Sequence, residues 1–421
     1  MIVLTALVLL LLALFGAPLF AIIAASALLA FSREEIDLSA VAIEFFSLAE
    51  MPVLIAIPLF TFAGYLLSES GAPRRLVRVT SALFGWMPGG LAVVAVAACA
   101  FFTAFTGASG VTIIALGAIL YPALREAAYD DRFNLGLVTS AGSLGLLFAP
   151  SLPLILYGVV AQIPVDDLFR AGVAPGMLML VMLATYCIVV NRERRQPLSS
   201  FSWREVGAAL REAVWELPLP IVVLGGIYSG YFAVSEAAAV TALYVLFIDV
   251  VVLREVSLRR LPGIMRESML LVGGIMVILG VSLASTNIMI DAGVPQQLLG
   301  FISGFVSDQT TFLLLMLLFL LLLGAILDIF SALVLVVPLM LPVAASFDVD
   351  PVHLGMVFLA TMQLGYLTPP VGLNLFIAGY RFDKPIVDVY LSTLPFFAIL
   401  LVSVVIIAFW PELSLWLLRP S

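Results

Sequence analysis

Apolar runs separated by short polar breaks fill this chain from end to end, and both the runs and the breaks predict structure. Runs at Ile2–Ala30, Met51–Leu67, Asn134–Gln162, Leu168–Val190, Leu217–Phe232, Ala237–Leu253, Met269–Ile290, Val352–Tyr380 and Tyr390–Pro411 read as membrane-crossing helices. Two of them are interrupted. Gly142, Gly145 and Ala149-Pro150-Ser151 split 134–162, and Thr368-Pro369-Pro370 splits 352–380, so each reads as a pair of half-helices.

Two further stretches have arms of a different kind. Gly89–Ala104 and Val111–Leu124 are apolar runs of about 15 residues, too short to fill a roughly 30 Å hydrocarbon layer with margin. They flank Phe105-Thr-Gly-Ala-Ser-Gly110, and Thr311–Ser346 forms a second such pair. Each pair is either one kinked span or a re-entrant hairpin. Backbone leaves the helix inside a bilayer only where protein or a polar cavity satisfies it, so the tip of a hairpin marks a site. Arginines among apolar residues in Gly71–Trp86 predict a helix lying in the interface, and Asn191–Glu216 and Asp291–Asp308 read the same way.

The arrangement occurs twice. Gly71-Ala-Pro-Arg-Arg-Leu76 is echoed by Gly293-Val-Pro-Gln-Gln-Leu298, and Leu135-Gly136, Leu144-Gly145, Pro150 and Gly158 by Leu354-Gly355, Leu364-Gly365, Pro370 and Gly379. Pro122 pairs with Pro342, and the tip at Ala108 falls opposite Asp328. The offset stays between 219 and 222, which indicates duplication.

Composition fixes the class. With 63% hydrophobic and 11% charged residues in 421, the chain is an all-α polytopic membrane protein with no sizeable soluble domain and no nucleic-acid-binding character. The net charge of −8 matters less than where the positive charges lie. With both hairpins non-crossing and Arg74 inside, all of the 19 Lys and Arg except Arg33, Arg170 and Arg419 fall on the inner side; counting either hairpin as a crossing destroys that segregation. Five crossings then separate the hairpins, so the copies are inverted, as is common among secondary transporters. The N-terminus lacks a basic region before its apolar run and reads as a retained span. Cys99 and Cys187 lie in apolar runs, which argues against a disulfide or metal role.

Several motifs together resemble a known family. Pro58-Leu-Phe60 with Ala63-Gly64, Gly89-Gly-Leu-Ala92, Phe101-Phe102, the Thr-Gly-Ala-Ser-Gly tip, Gly172-Val-Ala-Pro-Gly176, Ser235-Glu-Ala-Ala238 and Thr368-Pro-Pro-Val-Gly-Leu-Asn-Leu-Phe376 resemble the large membrane subunit of tripartite ATP-independent periplasmic (TRAP) transporters, over nearly the whole chain. The resemblance implies an inverted-repeat, elevator-type importer of an organic acid (a carboxylate) driven by sodium, with no other cofactor. It also implies a small four-span membrane subunit and a periplasmic substrate-binding protein as partners. Fused members carry extra spans ahead of the first, so the length implies that the small subunit is a separate chain. The expected setting is the bacterial inner membrane, with the N-terminus cytoplasmic and the C-terminus periplasmic. The implied layout is scaffold spans at 1–70, an arm helix at 71–88, a first transport half at 89–162, scaffold at 163–290, a second arm helix at 291–308, a second transport half at 309–382 and a last span at 383–421. The tip reads Thr-Gly-Ala-Ser-Gly where the family often has Ser-Gly-Ser-Ser, Ala149-Pro150-Ser151 stands for Pro-Pro-Ser, and Phe232-Ala-Val-Ser-Glu236 for Phe-Thr-Pro-Thr-Glu.

Sodium takes about six oxygens, and an unwound helix offers carbonyls, helped by hydroxyls, amides or a carboxylate. Candidates in the first half are Gly107, Ser109, Gly110, Ser143 and Gly145; in the second, Gly324, Asp328, Ser331, Gln363, Gly365 and Thr368, giving one ion per half. The alternative is that the glycines only ease helix packing. Asp328 is either an ion ligand or a carboxylate that closes the hairpin, against a structural cap on the following helix. An anionic substrate between the tips would meet Ser109, Ser151 and Asn374. Glu236 reads as scaffold, satisfying amides at a turn, and His353 as a solvated loop residue. Two rival functions remain. One is a binding-protein-independent anion carrier of the same superfamily. The other is an intramembrane serine protease with Ser109 in Gly-Ala-Ser-Gly, which needs a base within reach of that hydroxyl.

Overall fold

The computed structural model describes residues 8, 9, 11, 12, 15–87, 89–192 and 200–418, and among these every regular element is helical. Among the described residues, six helices are long and apolar enough to cross a membrane: Pro52–Glu69, Val165–Asn191, Val234–Val252, Leu261–Asp291, Ile329–Ser346 and Ile386–Phe409. A seventh span is added if Asp131–Leu147 and Leu152–Ala161, bent by 43° at their break, are counted together.

The N-terminal run differs from a single span over Ile2–Ala30. Positions 2–7 lie outside the described residues; beyond them the chain turns at Phe15–Gly16, where Gly16 has φ +82°, and a helix runs over Leu19–Arg33. Pro18 sets that start, since proline fits at a helix entry. The acidic loop behind it leads into a helix, Ser39–Ser47, that the apolar pattern did not separate. The expected span 217–232 is a helix only over Pro218–Tyr228, because Gly230 at φ +75° turns the chain out.

The arm helix Ala72–Phe84 buries Ala72, Pro73, Leu76 and Val79 along one stripe, the spacing of an amphipathic helix. Two of its three arginines, Arg75 and Arg78, are committed to ion pairs. Arg75 bonds Glu216 (Nε to Oε1, 2.7 Å) and both oxygens of Glu255, while Arg78 bonds Glu205 and Glu212 of the interfacial helix Trp203–Glu212. Burial opposes charge on Glu255, but the Arg75 guanidinium and the Gly71 N–H hold its carboxyl below the usual glutamate range. The second arm helix, Val294–Ser303, has Gln296 and Gln297 where the first has Arg74 and Arg75. It borders an apolar cleft of about 430 Å³ lined by Leu298, Ile302, Phe305, Phe312, Phe319 and Met340 among others.

The segments expected as hairpins and broken spans pack on one another. Gly90–Thr106 packs on Asp131–Ala141, and Gln309–Gly324 packs on Pro351–Gly365. The second arms cross over: Ser109–Ala115 lies against Leu373–Phe382, and Ile329–Ser346 lies against Leu152–Ala161. The second arm of the first hairpin is itself divided at Leu116 into Ser109–Ala115 and Gly117–Glu126. Punctuation recurs at one spacing: Ala108 and Asp328 are helix N-caps, Asp130 and Asp350 are N-caps, and cis peptide bonds precede Pro150 and Pro370.

His353 is a correction. It does not lie solvated in a loop but is 2% exposed, with Nδ1 3.3 Å from Ser414 Oγ and Nε2 3.2 Å from the Ala408 carbonyl. Asp350 starts the helix before it rather than after it, which turns the imidazole inward onto the C-terminal helices. Glu236 accepts the Ala233 N–H at 2.9 Å, at the start of its own helix.

Candidate functional site

At the first tip the helix Gly90–Thr106 stops at Gly107, whose φ of +63° is the left-handed conformation that glycine adopts without penalty. A Cβ there would meet Leu152 Cγ at 2.4 Å, so the tip sits directly on the detached half-helix Leu152–Ala161. Ala108 is extended, and Ser109 begins the next helix. The Ser109 hydroxyl donates to Asn374 Oδ1 at 2.7 Å, and Asn374 Nδ2 donates to the Thr139 carbonyl at 3.4 Å. Both residues are buried, Ser109 at 4% exposure and Asn374 at 0%. One polar junction therefore joins the first tip, the first broken span and the second broken span.

Beside it lies a hydroxyl cluster that the apolar reading of Gly89–Ala104 passed over. Thr103 Oγ1 is 2.8 Å from the Gly142 carbonyl and 2.7 Å from Thr112 Oγ1, and Thr106 Oγ1 is 3.5 Å from Thr112 Oγ1. All three threonines are fully buried. The available signal was Thr103 and Thr106 three residues apart on one helix face, with Thr112 just beyond the tip. Gly145 packs beneath them, where a Cβ would lie 2.3 Å from the Ala100 carbonyl. Gly110 faces Ile377. Ser143 donates within its own break to the Ser140 carbonyl at 3.4 Å, and Ser151 to the Leu146 carbonyl at 2.5 Å; neither bonds the junction residues.

The second tip is built differently. Gly324 and Gly365 meet backbone to backbone, since a Cβ on Gly365 would lie 2.6 Å from Gly324 Cα. The Ala325 carbonyl accepts the N–H groups of Val371 and Gly372, each at 3.1 Å, which ties the tip to the break of the second broken span. Asp328 Oδ1 accepts the N–H groups of Phe330 and Ser331 at 3.0 Å, and its Oδ2 accepts the Ser331 hydroxyl at 2.5 Å. The groups that donate to Asp328 thus belong to Phe330 and Ser331 of the helix it starts, which is the capping geometry. Tyr366, not singled out by the sequence, accepts the Ile329 N–H at 2.6 Å. Thr368 donates to the Gly365 carbonyl at 2.7 Å. Gln363 turns away toward Met179, with Nε2 2.9 Å from its sulfur, and its buried Oε1 has no partner among the described residues.

Carbonyls, hydroxyls and small residues converging at two helix breaks can strip and hold a hard ion or a small polar solute. They offer no acid–base pair: Ser109 bonds an amide oxygen, and the one histidine bonds Ser414 and Ala408.

Comparison with known proteins places the whole chain. The family model described as the tripartite ATP-independent periplasmic transporter, DctM component, matches residues 3–413. The chain belongs to this family. It is 34% identical over 375 residues to the C4-dicarboxylate TRAP transporter large permease protein DctM of Pseudomonas aeruginosa, covering 89% of this chain and 88% of that one. It is 32% identical over 376 residues to the isethionate TRAP transporter permease protein DctMQ of Oleidesulfovibrio alaskensis, covering 89% of this chain and 59% of that longer one. The fold also resembles the solved structure of the Alcanivorax borkumensis YdaH transporter, with a TM-score of 0.64 at 13% identity over 91% of this chain and 89% of that one. TRAP large permeases are multi-pass transporter subunits and not enzymes, so the protease reading falls.

Proposed function

We propose that this TRAP large permease is the membrane subunit of a sodium-driven importer of an organic acid, working by an elevator movement of its interlocked hairpins and broken spans. Residues 89–162 and 309–382 form the two transport halves, inverted relative to one another. Residues 1–70, 163–290 and 383–421 form the scaffold, and 71–88 and 291–308 are the arm helices. The observation that carries the reading is the buried Ser109–Asn374 junction, which brings the first tip against the second broken span. Supporting it are the cross-packed second arms and the caps at Ala108, Asp328, Asp130 and Asp350, spaced by 220 residues in both pairs.

Sodium in this reading is a transported ion. In the first half the threonine cluster and the Gly142 carbonyl extend the candidate set of Gly107, Ser109, Gly110, Ser143 and Gly145. In the second half, Gly324, Asp328, Ser331, Gly365 and Thr368 cluster at the tip, and Gln363 brings an unpaired oxygen from the adjoining helix. Ser109, Ser151 and Asn374 are the candidate substrate contacts. The partners are a small membrane subunit, which the DctMQ relative suggests by its name and extra length, and a periplasmic binding protein. The setting is the inner membrane, with the N-terminus inside and the C-terminus outside.

The test is uptake into proteoliposomes with the small subunit and the receptor. Accumulation should require both an inward sodium gradient and the receptor, and Asp328→Asn should abolish most of it. Uptake driven equally well without the receptor would favour the binding-protein-independent carrier. Unchanged sodium dependence in Asp328→Asn would leave that residue a cap and nothing more.

A further inference from the structure

Buried charge gathers where the first arm helix meets the start of Pro218–Tyr228 and the end of Val234–Val252, beside Phe101, Phe102 and Phe105 of the first hairpin. Arg75 is its cation, and it covers Oε1 of Glu216 and both oxygens of Glu255. Asp249 sits in a π-helical turn, Phe247–Val252, and its carbonyl accepts the N–H groups of Glu255 and Val256. Glu216 is 4% exposed and Asp249 1%. Glu216 Oε2 and Asp249 Oδ2 are both buried without a hydrogen-bond partner among the described residues, and both residues line one crevice with Leu67, Trp215, Leu219 and Tyr244. The Tyr244 hydroxyl is spent on the Trp215 carbonyl at 2.9 Å, and Ser70 lies beside Asp249.

Three carboxylates against one guanidinium leave an excess of two negative charges. A buried carboxylate without a partner takes up a proton rather than stay charged. A proton on either carboxyl turns an acceptor-only group into a donor, and the bare oxygen of the other, lining the same crevice, is an acceptor for it. A sodium ion does not fit the same place: it needs about six oxygens, and the crevice has no room for even one water molecule.

We propose that Glu216 and Asp249 form a carboxyl–carboxylate pair that binds one proton at neutral pH and fastens the first arm helix, through Arg75, to the span Val234–Val252. The proton comes from water and adds to one carboxylate oxygen, lowering the excess charge of the cluster by one. The groups facing it are Arg75 and Ser70 from the arm side, Glu255 from the loop and Tyr244 from the span. The pair shares no hydrogen bond with Ser109 or Asn374, and the proposal does not depend on how transport is driven.

Infrared spectroscopy of the full chain in nanodiscs tests this. The wild type at neutral pH should show the C=O stretch of a protonated carboxyl that shifts on deuteration. The band should be lost in Asp249→Asn or Glu216→Gln and be unmoved when sodium is replaced by choline. A wild type without the band, a band that persists in both variants, or one that appears only when sodium is removed overturns the proposal. If neither variant elutes as a folded protein, the wild-type pH titration decides: persistence at neutral pH supports the pair and loss already in mild acid overturns it.

Discussion

At the first hairpin, contacts between tip and break run through side-chain hydroxyls, Thr103 to Thr112 and to the Gly142 carbonyl. At the second they run through backbone, with the Ala325 carbonyl holding Val371 and Gly372, and through the Asp328 carboxylate on its own helix start. Counting 220 residues on from Thr103, Thr106 and Thr112 gives Leu323, Ile326 and Ala332, so the hydroxyl cluster has no counterpart in the second hairpin. The arm helices diverge in the same direction, since the first is pinned by arginine ion pairs and the second offers glutamines beside an apolar cleft. Similar packing can therefore be held by different chemistry.

The arm helices give the sharpest contrast. Arg75→Ala strands Glu216 beside Asp249, and removing one member of a buried pair costs about 3 to 5 kcal/mol; the low end applies here because Arg75 keeps 14% exposure. Gln297→Ala, its counterpart in the second arm, should stay within about 0.5 kcal/mol. Thermal melts of the detergent-purified protein compare the two, and equal losses would mean that both arms are anchored alike. Next, Gly145→Ala and Gly365→Ala each drive a methyl into neighbouring backbone, at 2.3 Å and 2.6 Å, and should each cost about 1 to 3 kcal/mol. That pair tests what the halves share, and a loss confined to one would break the likeness. Thr103→Val keeps shape while taking a hydrogen bond from the Gly142 carbonyl, for about 1 kcal/mol of stability. It should also raise the sodium concentration for half-maximal uptake, a readout that a purely structural threonine would leave unmoved. The smallest effect is expected at Arg78→Ala, a shift in melting temperature near the limit of detection, because Arg78 and its partners Glu205 and Glu212 are exposed.

Much of this was legible beforehand for a physical reason: breaks in helices need glycine, proline and short polar residues, and these stand out against apolar runs. Gly107, Pro150 and Pro370 each lie at a break that the structure contains. What was not legible depended on which face a residue turns. Thr103 and Thr112 vanish inside apolar runs, although their hydroxyls are buried and paired. His353 sits two residues from a proline and three from an aspartate, which reads as a loop, yet it is locked under the C-terminal helix. The arginines of the first arm suggested a helix floating in the interface, and their acidic partners lie more than 125 residues further along the chain, out of reach of any local pattern.

The crossed second arms carry a consequence for the order of synthesis. Leu152–Ala161 leaves the ribosome long before Ile329–Ser346, the helix it finally rests on, and Ser109 must wait as long for Asn374. Until then the newborn first half has an apolar flank and an unsatisfied tip with only lipid or a chaperone to cover them. A chain cut between the halves should consequently be cleared as unfinished, whatever the quality of the piece already made.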